Sequence, residues 1–242
     1  MMTSLAKNWL PKPLFNWLKA KRDARRRATL KAAGSRAEIF SAVYREKMWG
    51  GSGEKFHSGW GSHRAAVVEP YVTAVSDYLQ SLPTKPDVCD LGCGDFAVGV
   101  QLRPYCDRYI ACDIVPELVE RNRKQFADCD VDFRTLDLVT DPLPEAQVLL
   151  VRQVFQHLSN GDIAATLPKL KRYRAIIATE DVPDGEFEPN HDKPAGFDVR
   201  LSTGSGVDLA APPFNFEHRS SRVLCRATHN GQVLLTTLYE PL

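Results

Sequence analysis

The stretch VCDLGCGDFAVG, from Val88 to Gly99, constrains this chain more than any other. An apolar run of strand character stops at a glycine-rich turn, Gly92-x-Gly94-x-x-Ala97, and a helical pattern follows near Phe96–Arg103. That order marks the first βα unit of an open α/β sheet. Strands and helices then alternate. RYIACDI leads into the helix PELVERNRKQF, VDFRTLDL and AQVLLVRQ read as two further strands, and RAIIATED reads as a fifth. Ser159, with Asp162 three residues on, starts the intervening helix with a capping-box pattern. Such alternation predicts a parallel sheet covered by helices. The end departs from it. SRVLCRAT and QVLLTTLYE are β-rich runs separated by His229-Asn230-Gly231, and Asn-Gly is the strongest short hairpin signal. The expected fold is α/β, a seven-stranded, mostly parallel sheet with a C-terminal antiparallel hairpin.

Upstream, RAAVVEPYVTAVSDYLQSL (64–82) has apolar residues at helical spacing and ends at Pro83 and Pro86. Residues 41–63, rich in Gly, Ser and aromatics, read as a loop, as does most of 181–221. Charge divides the chain. Residues 1–40 hold ten Lys/Arg and two Asp/Glu, so this segment carries +8 against −7 for the remainder. A basic helical arm over 1–40 and one domain over 41–242 are therefore expected. A content of 43% hydrophobic and 25% charged residues fits a globular chain, and no apolar run approaches the roughly 18 residues of a membrane span. Six cysteines without a C-x-x-C pair read as reduced thiols and, with no signal-peptide pattern, point to the cytoplasm. The acidic remainder disfavours a nucleic-acid partner. The arm, with Trp9, Phe15 and Trp17 among its basic residues, suits contact of residues 1–30 with an anionic inner membrane surface. It suits equally a helix packed on the domain or on a second subunit.

A glycine turn after a strand usually cradles phosphate, yet this one stands between two carboxylates, Asp90 and Asp95. Asp113 ends the next strand about 20 residues on, where a carboxylate accepts hydrogen bonds from both ribose hydroxyls. To that point NAD and an adenosyl ligand fit alike. Two like charges about 4 Å apart at an effective dielectric near 20 cost roughly 4 kcal/mol, so the carboxylates argue against a pyrophosphate. S-adenosyl-L-methionine carries none, and its ammonium group suits Asp90.

Here the sequence resembles the class I S-adenosylmethionine-dependent methyltransferases. VCDLGCGDFAVG is similar to their glycine loop, YIACDI to the ribose strand, TLDL to the adenine turn, and VLLVRQVFQHLS to the fourth strand and its exit. The likeness runs from about residue 86 to 180. SGWGS (58–62), RQVFQHLS (152–159) and VRLSTGSGVDLAAPPFNF (199–216) bring it nearest to a bacterial subgroup with SGxGS, R-D-V-x-x-H-L-S and R…L…PPF motifs. Gln153 stands where that subgroup has Asp, and the longer spacing from Arg200 to Pro212 leaves Arg200 without an expected role. The resemblance implies a Rossmann-like fold and a site for S-adenosyl-L-methionine built from Asp90, Gly92, Cys93, Gly94, Asp113, Ile114, Asp137, Leu138 and Arg152. In it Asp113 takes the ribose, Asp137 the adenine amino group and the Leu138 N–H the ring. Read on its own, Asp137 is otherwise a helix or turn cap.

Methyl transfer is an in-line displacement whose rate rests largely on positioning, and a hydroxyl acceptor needs a base. His157, just after the fourth strand, is the candidate base, or else a structural histidine bonded to its own loop. Gln153 is the candidate to orient ligand or acceptor. Asn/Asp-Pro-Pro-Tyr, which marks relatives acting on planar nitrogens, is missing after the fourth strand. That favours oxygen of a sugar, glycan or other small molecule. FHSGWGSH (56–63) reads as a lid or as a surface loop anchored by Trp60. Glu180, Asp181, His191 and Asp192 match no metal spacing and read as a solvated polar loop. An NAD-dependent oxidoreductase or epimerase is an alternative, but no suitably placed Tyr-x-x-x-Lys supports it. A non-catalytic adenosyl-binding module is the other.

Overall fold

The computed structural model describes residues 11–51, 56–229 and 231–242. Two helices, α1 (Lys12–Lys31) and α2 (Arg36–Arg45), precede a 3-10 turn at Trp60–Ser62 and the helix α3 (Ala65–Gln80). Seven strands follow: β1 (Val88–Leu91), β2 (Tyr109–Asp113), β3 (Asp132–Thr135), β4 (Val148–Arg152), β5 (Ala175–Val182), β6 (His218–His229) and β7 (Gln232–Pro241). The helices α4 (Gly99–Leu102), α5 (Pro116–Gln125) and α6 (Asn160–Leu170) lie among them in sequence. The strand order is β3-β2-β1-β4-β5-β7-β6. The first five are parallel, and β7 runs antiparallel between β5 and β6. The expected α/β sheet with its closing hairpin is thus present. Its connections change direction between β1 and β4, and the crevice outside those carboxyl ends is where such sheets bind ligands.

The central strands are buried on both faces, as parallel strands under helices must be. Successive side chains alternate between the faces. Cys89, Leu91, Leu149, Val151, Ile176 and Ala178 join the core that contains α2 and α6 residues. Val88, Leu150, Ala175 and Ile177 join the core that contains α3 residues. Through the register Asp90↔Leu150 and Arg152↔Thr179, the same parity assigns Asp90, Arg152 and Asp181 to the α3 side. Three charged residues at strand ends therefore share one face.

Two expectations need correction. The reading of 41–63 as loop fails at its start, because α2 runs through residue 40 to Arg45. Ser35 caps this helix by accepting from the Glu38 N–H, and Phe40, Val43 and Tyr44 are buried in the core. The boundary drawn at residue 40 falls inside that helix. Glu180 and Asp181, expected in a solvated loop, are buried in β5. Glu180 accepts the N–H groups of Phe155 and Gln156 (3.0 and 2.9 Å), so it fixes the turn after β4. The basic arm docks at its end only: Leu30 is buried and Arg27 pairs with Asp198, while Leu14 and Trp17 are exposed. Trp9 with the rest of residues 1–10, the Phe15 side chain and Asn230 of the hairpin turn lie outside the described residues.

Arg200 fastens the long excursion after β5. It is only 1% exposed, and its guanidinium donates to the carbonyls of His191, Phe155 and Leu158 and to Asn160 Oδ1. Arg200→Met would leave those acceptors without their donor. At roughly 1–3 kcal/mol per unsatisfied buried group, the variant should lose about 3 kcal/mol or more, read as a lower urea midpoint. A midpoint unchanged from wild type would show that this residue does not hold the segment.

Candidate functional site

A cavity of about 360 Å³ lies at the carboxyl ends of β1, β2 and β4. Every residue expected to hold the cofactor lines it, together with Gln153 and His157. α2 and the Trp60–Ser62 turn complete the wall.

The glycine loop uses its own amides. Gly92 and Cys93 N–H both donate to the Cys112 carbonyl (2.8 and 2.9 Å), and Phe96 N–H donates to the Cys93 carbonyl (3.1 Å). Gly94 N–H donates to Asp113 Oδ2 (3.1 Å), Asp95 N–H to Ser58 Oγ (2.8 Å) and Ala97 N–H to Asp95 Oδ1 (3.3 Å). No N–H from 92 to 97 is left for a phosphate. The helix expected from Phe96 begins only at Gly99, as the four-residue α4. Phe96 itself sits at φ 63°, outside helical geometry. The fingerprint G-x-G-x-x-A therefore describes a closed turn here, not a phosphate cradle. Gly92 and Gly94 have φ of 75° and 57°, and a Cβ on either would overlap Val154 or Ser58.

The two carboxylates that bracket the turn have different roles. Asp95 Oδ2 accepts the Ser58 N–H at 2.8 Å and lies 2.7 Å from His63 Nε2. With the return bond from Asp95 N–H to Ser58 Oγ, this pins the 56–63 segment onto the glycine loop as a fixed wall. Asp90 is 7% exposed, and its Oδ2 accepts the Tyr109 hydroxyl at 3.0 Å. Its Oδ1 accepts nothing from any described residue. Burial pushes the Asp90 carboxyl up to about 7. Asp113 Oδ1 accepts the Val115 N–H at 3.0 Å, and burial pushes this carboxyl up to about 6.

At the other end, Asp137 is gripped by Arg36, whose Nη2 lies 2.9 Å from Oδ2 and whose Nη1 reaches Asp162 at 2.8 Å. Asp137 Oδ1 also accepts the Val139 N–H at 2.9 Å, so the turn-cap reading holds locally. Burial raises its carboxyl, but Arg36 and Val139 outweigh this and hold it below its ordinary value. The Leu138 N–H, beside the cavity, donates to no described residue. Ile114, also in the wall, packs against the core.

His157 is 8% exposed, with Nδ1 3.1 Å from the Gly196 carbonyl and Nε2 3.3 Å from Gln156 Nε2. Gln156 Oε1 accepts the Asp181 N–H at 2.8 Å, so the Gln156 NH₂ must face the imidazole. Nδ1 therefore carries the proton, and the Nε2 lone pair is already engaged. Burial and the Lys193 charge lower the imidazole to about 3. Of the two roles read for His157, this geometry supports the structural one.

Gln153 has φ 56°, a conformation that costs a non-glycine residue energy and clusters at functional sites. Its Oε1 accepts Arg152 Nη1 at 3.2 Å and its Nε2 donates to Asp181 Oδ2 at 3.2 Å. Arg152 lies over the Tyr71 ring at 4.8 Å and donates through Nη2 to the Gly61 carbonyl at 2.8 Å. Sequence reasoning missed Arg36, Tyr44, Trp49 and Asp181, all in this wall. The helical spacing of Ile39, Phe40, Val43 and Tyr44 was the available signal for the first of these. For Asp181 it was the shared parity with Arg152. Among the described residues no group of three or more His, Cys, Asp or Glu is placed to hold a metal.

Residues 88–174 match the family described as Methyltransferase domain. The fold is similar to that of the N-methyltransferase NodS from Bradyrhizobium japonicum WM9 in complex with S-adenosyl-L-homocysteine, with a TM-score of 0.56 and 13% identity over 76% of this chain and 92% of that one. It is similar also to magnesium protoporphyrin IX methyltransferase from Synechocystis PCC 6803 with bound S-adenosylmethionine, with a TM-score of 0.55 and 16% identity over 86% and 99%. Human N-acetylserotonin methyltransferase, again with S-adenosylmethionine, gives a TM-score of 0.50 and 18% identity over 84% and 59%. No curated protein matches the sequence. The family match from β1 to just past α6 and the sheet order around this cavity lead to one conclusion: residues 88–174 are similar to a methyltransferase domain, in a chain with the fold of the S-adenosylmethionine-dependent methyltransferases.

Proposed function

We propose that the chain moves the methyl group of S-adenosyl-L-methionine to a hydroxyl oxygen of a sugar, glycan or other small molecule. The observation that carries this reading is the polar wall between β4 and β5. Arg152, Gln153 and Asp181 meet there, in the place where relatives acting on planar nitrogens have Asn/Asp-Pro-Pro-Tyr.

The residues present fit the cofactor. Asp90 Oδ1 offers an acceptor to the ammonium group, and Arg152 Nε, buried without a partner, offers a donor to the carboxylate. Asp113 takes the ribose hydroxyls, Ile114 and Leu138 flank the adenine, and the Leu138 N–H with Asp137 reads its edge. Gly92, Cys93 and Gly94 let the ligand lie close to the backbone. The bound cofactor supplies an electrophilic methyl on a sulfonium. The chain's contribution is to place an acceptor in line with it, against a wall that Asp95 and Gln153 keep rigid. His157 supports the turn that carries that wall. On α1, exposed Leu14 and Trp17 beside Arg22 and Arg25 support peripheral contact with an anionic membrane at the cytoplasmic face. Among the described residues no helix is long and apolar enough to cross a membrane.

Calorimetric titration tests the cofactor assignment. S-adenosylhomocysteine should bind and NAD should not, and Asp113→Ala should weaken the former by roughly 3 kcal/mol, about a hundredfold in Kd. NAD binding alone would overturn the reading. Affinity should also rise between pH 5 and 8, because the ligand favours ionised Asp90 and Asp113, raised to about 7 and about 6 in its absence. The sign reverses for stability. These raised values stabilise the free protein fully below the ordinary carboxylate range, and that stability is lost as pH rises through about 6 and 7. Finally, His157→Asn should keep turnover within about tenfold of wild type, whereas loss of a general base costs 10²–10⁴.

A further inference from the structure

Two buried side-chain polar atoms among the described residues have no hydrogen-bond partner, Arg152 Nε and Asp181 Oδ1. Both residues line the same cavity. Arg152 Nε is absorbed by the cofactor reading above, which gives it the carboxylate of the amino-acid end. Asp181 Oδ1 is not absorbed by anything described so far.

Its setting is built rather than accidental. Asp181 is 4% exposed at the end of β5, and its backbone N–H is held by Gln156 Oε1. Its other oxygen, Oδ2, takes the Gln153 amide, and that amide is oriented from its far side by Arg152 Nη1. Gln153 has a left-handed backbone, and its side-chain carbonyl fills the space that a Cβ on Gly61 would take. Three residues thus fix one carboxylate and leave one of its oxygens buried at the cavity wall without a partner. A buried acceptor left unpaired calls for a hydrogen-bond donor, and on the wall of this cavity a ligand hydroxyl can supply it.

Resting on the methyltransferase reading above, we infer that Asp181 Oδ1 holds the reacting hydroxyl of a neutral polyhydroxylated acceptor, such as a hexopyranoside, and takes its proton. Charge selects the class. An anionic acceptor would meet Asp181 and Asp90 on the same face, and a cationic one would meet Arg152 one strand away. A hydroxyl satisfies Oδ1 without either penalty. In the step, the acceptor O–H bond breaks with its proton passing to Asp181 Oδ1, and the oxygen lone pair forms the new O–C bond. The carbon–sulfur bond breaks at the same time, its electron pair passing to sulfur, which becomes an uncharged thioether. Burial raises the Asp181 carboxyl to about 6, so it is ionised at neutral pH yet more basic than an exposed aspartate. Gln153 acts through Asp181 as a positioning residue.

The test uses the full chain, a panel of methyl hexopyranosides and S-adenosylmethionine labelled in its methyl group. Wild type should methylate at least one panel member. Asp181→Asn should cut kcat at least a hundredfold, in the range for loss of a general base, with Kd for S-adenosylhomocysteine within twofold. In protein saturated with S-adenosylhomocysteine, the glycoside should bind about tenfold more weakly to Asp181→Asn than to wild type by calorimetry. Asp181→Glu, which keeps a carboxylate, should exceed the Asn variant in kcat by at least tenfold. An Asn variant with wild-type turnover, or Asn and Glu variants equally impaired, would overturn the assignment. So would loss of S-adenosylhomocysteine binding in the Asn variant alone, since the carboxylate would then belong to the cofactor's site. Wild type that binds S-adenosylhomocysteine but methylates no glycoside removes the acceptor class and leaves the methyltransferase reading standing. Wild type that binds no adenosyl ligand removes that reading itself.

Discussion

The reciprocal hydrogen bonds between Ser58 and Asp95 join two parts of the chain that the sequence keeps far apart. One is the turn between β1 and α4, the other a glycine-rich segment before α3. Each of these backbones contains positive-φ glycines and would be mobile alone. Clasped together, with His63 and Tyr44 closing the contact, they form a rigid corner against which the cavity is defined. The clasp also explains why the turn leaves no amide for a phosphate: the Asp95 N–H serves Ser58, and the Asp95 carboxylate serves Ala97 and Ser58. Ligand selection at this site begins with a loop satisfied by its own protein.

Behind the corner, the sheet sorts charge by parity. Because β1, β4 and β5 are parallel and in register, Asp90, Arg152 and Asp181 line up on the α3 face without a direct ion pair among them. Each is instead held by neutral groups: Tyr109 for Asp90, Tyr71 and the Gly61 carbonyl for Arg152, Gln153 for Asp181. Charges kept apart in this way retain bonding capacity for a ligand, which a closed salt bridge would cancel. The opposite face shows the other solution. There Glu180 bonds to backbone N–H groups and Arg200 to backbone carbonyls, so both are fully used in holding the turn after β4.

The sheet was legible because four of its five parallel strands are mostly apolar runs of four to eight residues, and because Asn230-Gly231 announces the hairpin. The glycine loop and Asp113 were legible for the same local reason. What stayed hidden depends on partners distant in sequence. The role of His157 is decided by Gly196, that of Arg200 by Phe155 and Leu158, and that of Asp95 by Ser58. No local pattern encodes such pairs. α2 was obscured differently. Its first half belongs to a basic stretch and its second half adjoins a Gly/Ser-rich one, so composition suggested a boundary where the helix in fact continues into the core.

Gly61 and Gln153 deserve to be considered as one unit of variation. Their side-chain spaces overlap so fully that a methyl group at 61 would occupy the volume of the Gln153 carboxamide. A side chain at 61 would push the Gln153 carboxamide, the far end of a flexible side chain, out of its present place. A designer wishing to reshape the acceptor end can therefore re-aim the Gln153 carboxamide from across the cavity wall, by a change at 61 alone. Such a change would turn the amide away from Asp181, while the clasp between Ser58 and Asp95 beneath it stays intact.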